Sequence, residues 1–98
     1  MSEVLEVVRF TLKEGEREAF LAERDGAIEA LRDSFPGLVA ATLAEYEDGT
    51  WLDVLTWASA EEAEAAATAI ESVEPLARWA GHIDEVVEFV HPAVRHRA

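Results

Sequence analysis

The dipeptide Asp48-Gly49 stands halfway along the chain, between one β-pattern at 38–45 and another at 50–57. Asp-Gly favours a tight hairpin turn, because that turn needs residues that tolerate positive φ. The two middle strands are therefore expected to be antiparallel neighbours, and the rest of the chain has to be arranged around them. Before them, Val4–Leu12 reads Val-Leu-Glu-Val-Val-Arg-Phe-Thr-Leu and stops at Lys13-Glu14-Gly15, which predicts a strand. Phe20, Ala27, Ile28, Leu31 and Phe35 then recur at helical spacings, predicting an amphipathic helix over 16–35 that Pro36-Gly37 ends. After the hairpin, Ser59 fits an N-cap, and Glu62 three residues on completes a capping box. An alanine-rich helix over 60–70 follows. Pro75 suits the first turn of another short helix and Gly81 its stop. The last strand covers 82–91, and Pro92 ends it.

This order, β-α-β-β-α-β, is the ferredoxin-like α+β arrangement, a four-stranded antiparallel sheet with its helices on one face. At 98 residues the chain is the size of one domain, with a short C-terminal tail from about residue 92. Its first and last strands are apolar on both faces. Val4, Val8, Phe10 and Leu12 oppose Leu5 and Val7 on the first, and Val87 and Phe89 oppose Val86 and Val90 on the last. Helices can cover only one of those faces. A second copy of the sheet is the simplest cover for the other, which predicts a homodimer with sheets packed face to face, a dimeric α/β barrel.

The formal net charge of −13 disfavours nucleic acid and anionic membranes as partners. No apolar run reaches the roughly 18 residues of a membrane span, and the first residues lack the basic and apolar regions of a signal peptide. The chain has no cysteine, so thiol chemistry is excluded and a cytoplasmic location is expected. His91, Arg95, His96 and Arg97 form a small basic cluster, read as a solvated tail. No metal-spaced cluster, phosphate loop or nucleophile motif is present, so neither a metal nor another cofactor is expected.

What chemistry the chain carries is concentrated in the strand Trp51-Leu52-Asp53-Val54-Leu55-Thr56-Trp57. Side chains alternate along a strand, so Trp51, Asp53, Leu55 and Trp57 share a face that is either packed core or the wall of a pocket. Trp57 can stack on a planar ligand or plug the end of the barrel. Trp51, beside the hairpin, is expected to be partly exposed. Burial would raise the carboxyl pKa of Asp53 and suit it to act as a general base. The structural alternative is an ion pair with Arg9 on the neighbouring strand. Trp79 and His82 flank the start of the last strand, where His82 could exchange protons with a ligand or simply hold backbone.

The chain resembles the antibiotic biosynthesis monooxygenase-like family of the dimeric α/β-barrel superfamily. The likeness rests on Phe35-Pro36-Gly37-Leu38-Val39, Asp48-Gly49-Thr50 and Trp57-Ala58-Ser59-Ala60-Glu61-Glu62-Ala63, and extends over nearly the whole length. The resemblance implies a small homodimer. In some members the implied activity is oxidation of aromatic intermediates by molecular oxygen with no metal or flavin; in others it is haem degradation. The oxygenases carry an asparagine four residues before the recurring tryptophan and a tyrosine six residues after it. Here those positions hold Asp53 and Ala63 around Trp57, and the chain has no asparagine or glutamine. An ionised aspartate can only accept a hydrogen bond where an asparagine could also donate one. The expected site therefore joins Asp53 and His82 as acid–base groups with Trp57, Trp79, Arg9 and Trp51 as contacts to an aromatic small molecule. A non-catalytic binding module is the alternative, and haem held by His82 a third.

Overall fold

The computed structural model describes residues 2–98. Its elements are β1 (Val4–Leu12), α1 (Arg17–Ser34), β2 (Leu38–Glu45), β3 (Trp51–Trp57), α2 (Ala60–Ala69), α3 (Glu74–Ala80) and β4 (Ile83–Val90), with a single 3-10 turn, Ile70–Ser72, between α2 and α3. The sheet has the order β2-β3-β1-β4, and every pairing is antiparallel. This is the expected βαββαβ architecture. Element ends differ from the sequence reading by one or two residues. Glu16 lies outside α1, Thr50 belongs to the turn, and Ile70 opens the 3-10 turn rather than closing α2. Gly49 takes φ +90 in the hairpin, the conformation for which glycine was expected there.

The register sorts side chains onto two faces. Val4 pairs with Trp57, Glu6 with Leu55, Val8 with Asp53 and Phe10 with Trp51, so all eight point toward the helices. Under the helices lies an aromatic cluster built around the fully buried Phe20 of α1. Its ring stacks on Trp79 at 4.6 Å and meets Trp51 edge-on at 5.2 Å and Phe10 at 5.7 Å. The indole N–H of Trp79 donates to the carbonyl of Phe20 at 3.0 Å, so the stacked pair is also tethered. The opposite face carries Leu5, Val7, Leu52 and Val54, all only partly covered.

Two expectations need correction. The last strand does not alternate evenly: Arg9 pairs with Glu88 but Phe10 with Val86, which leaves Val87 as a bulge. The extra residue resets the alternation, so Val86 and Phe89 share the helix-side face instead of opposing one another. All of Val86, Val87, Phe89 and Val90 remain exposed. Second, the capping box is half formed. Ser59 Oγ accepts from Glu62 N, but the Glu62 carboxylate lies against Gly37, where it fills the space a Cβ would occupy. A Cβ at Gly37 would displace the end of the Glu62 side chain. The basic cluster His91, Arg95, His96 and Arg97 is exposed, as expected, while the backbone of the C-terminal segment pairs with β1. Leu5 N donates to Pro92 O, Val94 N donates to Glu3 O, and Ala93 bridges to Val4, with Arg97 paired to Glu3. The last strand's path simply continues beside β1 past Pro92, which as a proline can accept but not donate in that edge.

Candidate functional site

Beneath α2, the helix-side face of the sheet opens into a cleft of about 140 Å³. Glu6, Asp53, Trp57 and Phe89 contribute from the sheet, and Ile28 and Leu31 from α1. The lining is mainly apolar, with two carboxylates set into it. Trp57 is buried, and its Nε1 has no hydrogen-bond partner. A buried donor without a well-formed hydrogen bond costs roughly 1–3 kcal/mol.

Asp53 is buried, as its position between apolar neighbours requires, but its partner is not Arg9. Arg24 of α1 reaches down and donates from Nη1 to Oδ2 and from Nη2 to Oδ1, both at 2.7 Å. Side-chain exposure is 11% for Arg24 and 8% for Asp53, so the pair is sealed from solvent. The guanidinium also lies over Trp79 at 4.9 Å from the ring centre. Both carboxylate oxygens of Asp53 are thereby held by a permanent cation. The geometry suits a fixed charge that orients neighbours far better than a base that must take up and release a proton.

Glu6 is the second carboxylate of the cleft, and no arginine neutralises it. It is largely buried, and that burial, reinforced by the negative charge of Asp53, pushes its pKa above the ordinary 4.5. His91 pulls in the other direction, with Nε2 at 3.6 Å from Glu6 Oε1. The Trp57 indole N–H also favours the ionised form, although it falls short of a well-formed hydrogen bond. Sequence reading passed over Glu6, yet its signal was present: it is the single acidic residue on the Val4-Val8-Phe10-Leu12 face. Arg24 carried a similar signal, lying four residues after Phe20 and four before Ile28 within the apolar stripe of α1.

The remaining expected site residues lie elsewhere. Arg9 is on the opposite face of the sheet, where it donates to Thr50 and Asp48 and lies over the Tyr46 ring at 4.0 Å. One strand position separates it from the Asp53 face, and alternation puts its side chain on the far side. Trp51 is buried rather than partly exposed, because Phe20 covers it. Trp79 belongs to the same aromatic cluster and reaches the site only through Arg24. His82 does not meet Asp53. Its Nδ1 contacts Glu16 at 2.6 Å and its Nε2 contacts Glu23 at 3.1 Å, which clamps the start of β4 to α1. With both nitrogens occupied, His82 has no free lone pair for a haem iron. The hydrogen bond to Glu16, followed by that to Glu23, raises its pKa above the ordinary 6.5. Among the described residues no group of His, Asp and Glu is placed to hold a metal ion, and no helix is long and apolar enough to cross a membrane.

Neither a family model nor a curated protein matches the chain. Solved structures do. A candidate antibiotic biosynthesis monooxygenase from Chloroflexus aurantiacus superposes with a TM-score of 0.74 at 16% identity, over 99% of this chain and 97% of that one. SnoaB, a cofactor-independent oxygenase from Streptomyces nogalater, gives 0.72 at 21% identity, over 100% and 96%. A dimeric ferredoxin-like protein from an uncultured marine organism gives 0.69 at 14%, over 100% and 92%. At these identities the likeness establishes the fold. The chain has the ferredoxin-like fold shared by antibiotic biosynthesis monooxygenase-like structures, the group its sequence resembles.

Two expectations follow from the ion pairs. Arg24→Met alone strands the Asp53 charge in the core and should cost about 3–5 kcal/mol in urea unfolding, whereas Arg24→Met with Asp53→Leu should recover most of that loss. Equal stability of the single and double variants would show that the pair is not buried as described. For His82, the folded state holds the proton more tightly than the unfolded chain, so the clamp stabilises fully below the ordinary value of 6.5 and fades as pH rises through the raised one. The melting-temperature gap between wild type and His82→Gln should therefore be widest at mildly acidic pH and shrink toward alkaline pH. A gap that grows with pH would contradict the clamp.

Proposed function

We propose that the chain is a homodimeric member of the antibiotic biosynthesis monooxygenase-like family that oxidises an oxygen-bearing aromatic small molecule with dioxygen, without metal or flavin. The observation that carries this reading is the cleft itself, where an unpartnered Trp57 indole N–H stands beside a buried Glu6 of raised pKa. The indole would donate to a carbonyl or phenolic oxygen of the ligand. Glu6 would remove the acidic proton, and the resulting electron-rich anion would pass one electron to dioxygen. The radical pair would join as a peroxide, protonated by Glu6, which loses water to leave a ketone. For anthrone as probe this balances as anthrone plus dioxygen giving anthraquinone plus water. Asp53, held by Arg24, would occupy the place of the oxygenases' asparagine as a fixed acceptor. SnoaB, a cofactor-independent oxygenase, has the same fold, which supports the reaction class.

A raised carboxyl pKa means that ionised Glu6 costs the fold stability once pH climbs above the ordinary 4.5 and through the raised value. Glu6→Gln should therefore be at least as stable as wild type at pH 7, with the gain vanishing in acid, while anthrone oxidation falls by about 10²-fold or more. Unchanged turnover would remove Glu6 from the reaction. Wild type that fails to accelerate oxygen uptake but still binds the probe would favour the second reading, a non-catalytic binding module. The small volume of the cleft is the observation that favours that alternative.

The homodimer is supported by Leu5, Val7, Leu52, Val54 and Val90, which form an apolar surface on the sheet face away from the helices. A structurally similar protein is itself dimeric. Sedimentation should give twice the chain mass at micromolar concentration, and Val54→Glu should shift it to monomer. A wild-type monomer would overturn sheet-to-sheet packing.

A further inference from the structure

The bulge at Val87 decides which face of the sheet the end of β4 presents. Beyond the bulge, Arg9 pairs with Glu88, Val8 with Phe89 and Val7 with Val90. The same register runs on past the strand, where Leu5 N donates to Pro92 O and Val4 bridges to Ala93. Glu6 therefore stands directly opposite His91, and both belong to the helix-side face. In the register that pairs Phe10 with Val86, Glu6 would have met Val90 and His91 would have faced away. Re-aiming a side chain is a common use of a bulge beside a site. The result is a close cross-strand pair. Nε2 of His91 lies 3.6 Å from Oε1 of Glu6, and the rings of Phe89 and His91 meet edge-to-face with their centres 5.0 Å apart.

The two carboxylates of the cleft thus face different kinds of cation. Both oxygens of Asp53 are held by the guanidinium of Arg24, which cannot release its proton. Glu6 faces an imidazole, which can. Their settings differ as well. The Glu6 side chain is 15% exposed and that of His91 34%, so the imidazole is the end of the pair that meets water. The other charges around the pair are Asp53, already neutralised, and Glu64 of α2, which lines a groove with His91. We infer that His91 is the positioning residue of Glu6: its protonated imidazole aims the carboxylate and holds it ionised inside the cleft. The electrostatic balance agrees, since His91 opposes the effects of burial and of Asp53 on Glu6. The contact matters on the acid side, where an imidazole carries its proton and burial alone would leave Glu6 protonated. This inference rests on the proposed use of Glu6 as proton acceptor and adds the group that governs when Glu6 can accept.

The test uses the full chain, with the side-chain carboxyl carbon-13 resonance of Glu6 as reporter and the pH profile of anthrone oxidation beside it. His91→Gln keeps a hydrogen-bond donor without a charge, and His91→Lys restores a cation. In His91→Gln the Glu6 resonance should titrate at higher pH than in wild type. The acid limb of anthrone oxidation should follow it, with turnover near pH 5 down by about tenfold. His91→Lys should return both to the wild-type position or below. A carboxyl titration followed in the folded protein is not moved by a loss of stability alone, so a merely structural His91 would leave it in place. An unchanged Glu6 titration in His91→Gln, or one that His91→Lys does not reverse, overturns the inference. If that happens while wild type oxidises anthrone, the oxidation reading stands without His91. If the Glu6 titration follows His91 but wild type leaves anthrone untouched, the pair stands and the oxidation reading fails.

Discussion

The Arg24–Asp53 pair is the interaction on which the rest of the helix-side structure depends. It ties the middle of α1 to the middle of β3 through two short hydrogen bonds. The same guanidinium lies over Trp79, which stacks on Phe20, which in turn packs on Trp51 and Phe10. One cation therefore links the acidic wall of the cleft to the aromatic core. Its burial makes the link demanding, because a charge out of water is tolerated only with its partner in place. That demand fixes where α1 sits over the sheet and how much room remains beneath α2.

The division of labour between the two carboxylates follows from this. They stand on adjacent strands and share one face, so in a low-dielectric cleft they cannot both be free and ionised without cost. Arg24 neutralises Asp53 and leaves Glu6 with only the distant His91. The same burial that calls for a cation at Asp53 pushes the pKa of Glu6 up. Trp57 completes the arrangement, with its indole N–H beside Glu6 but short of a well-formed hydrogen bond.

The far side of the sheet presents the opposite situation. There, apolar side chains alternate with Arg9, which is occupied with the hairpin through Thr50, Asp48 and the Tyr46 ring. β4 adds exposed valines and Phe89 on both of its faces, since the bulge at Val87 throws Val86 back onto the helix side. An edge strand so apolar is a liability in isolation, and the C-terminal segment pairs with β1 and leaves the free edge of β4 uncovered.

The sequence by itself determined the order of elements, their type and which residues share a face on β1 and β3, but not on β4, where the bulge at Val87 resets the alternation. Periods of 2 and 3.6 are set locally, and Asp48-Gly49, Pro36-Gly37 and Ser59 mark the breaks by their own backbone preferences. It also made Glu6 and Arg24 conspicuous, as charged residues inside apolar stripes, although that signal is visible only when each stripe is checked for its exceptions. Tertiary structure alone decided the partners. Asp53 has two arginines within plausible reach in sequence, and strand alternation turns Arg9 away while helix placement brings Arg24 down. His82 is drawn to Glu16 and Glu23 because α1 passes over the start of β4, which no spacing reveals. Local chemistry sets what a segment becomes, but which charge meets which is fixed only when the packing of α1 against the sheet chooses among them.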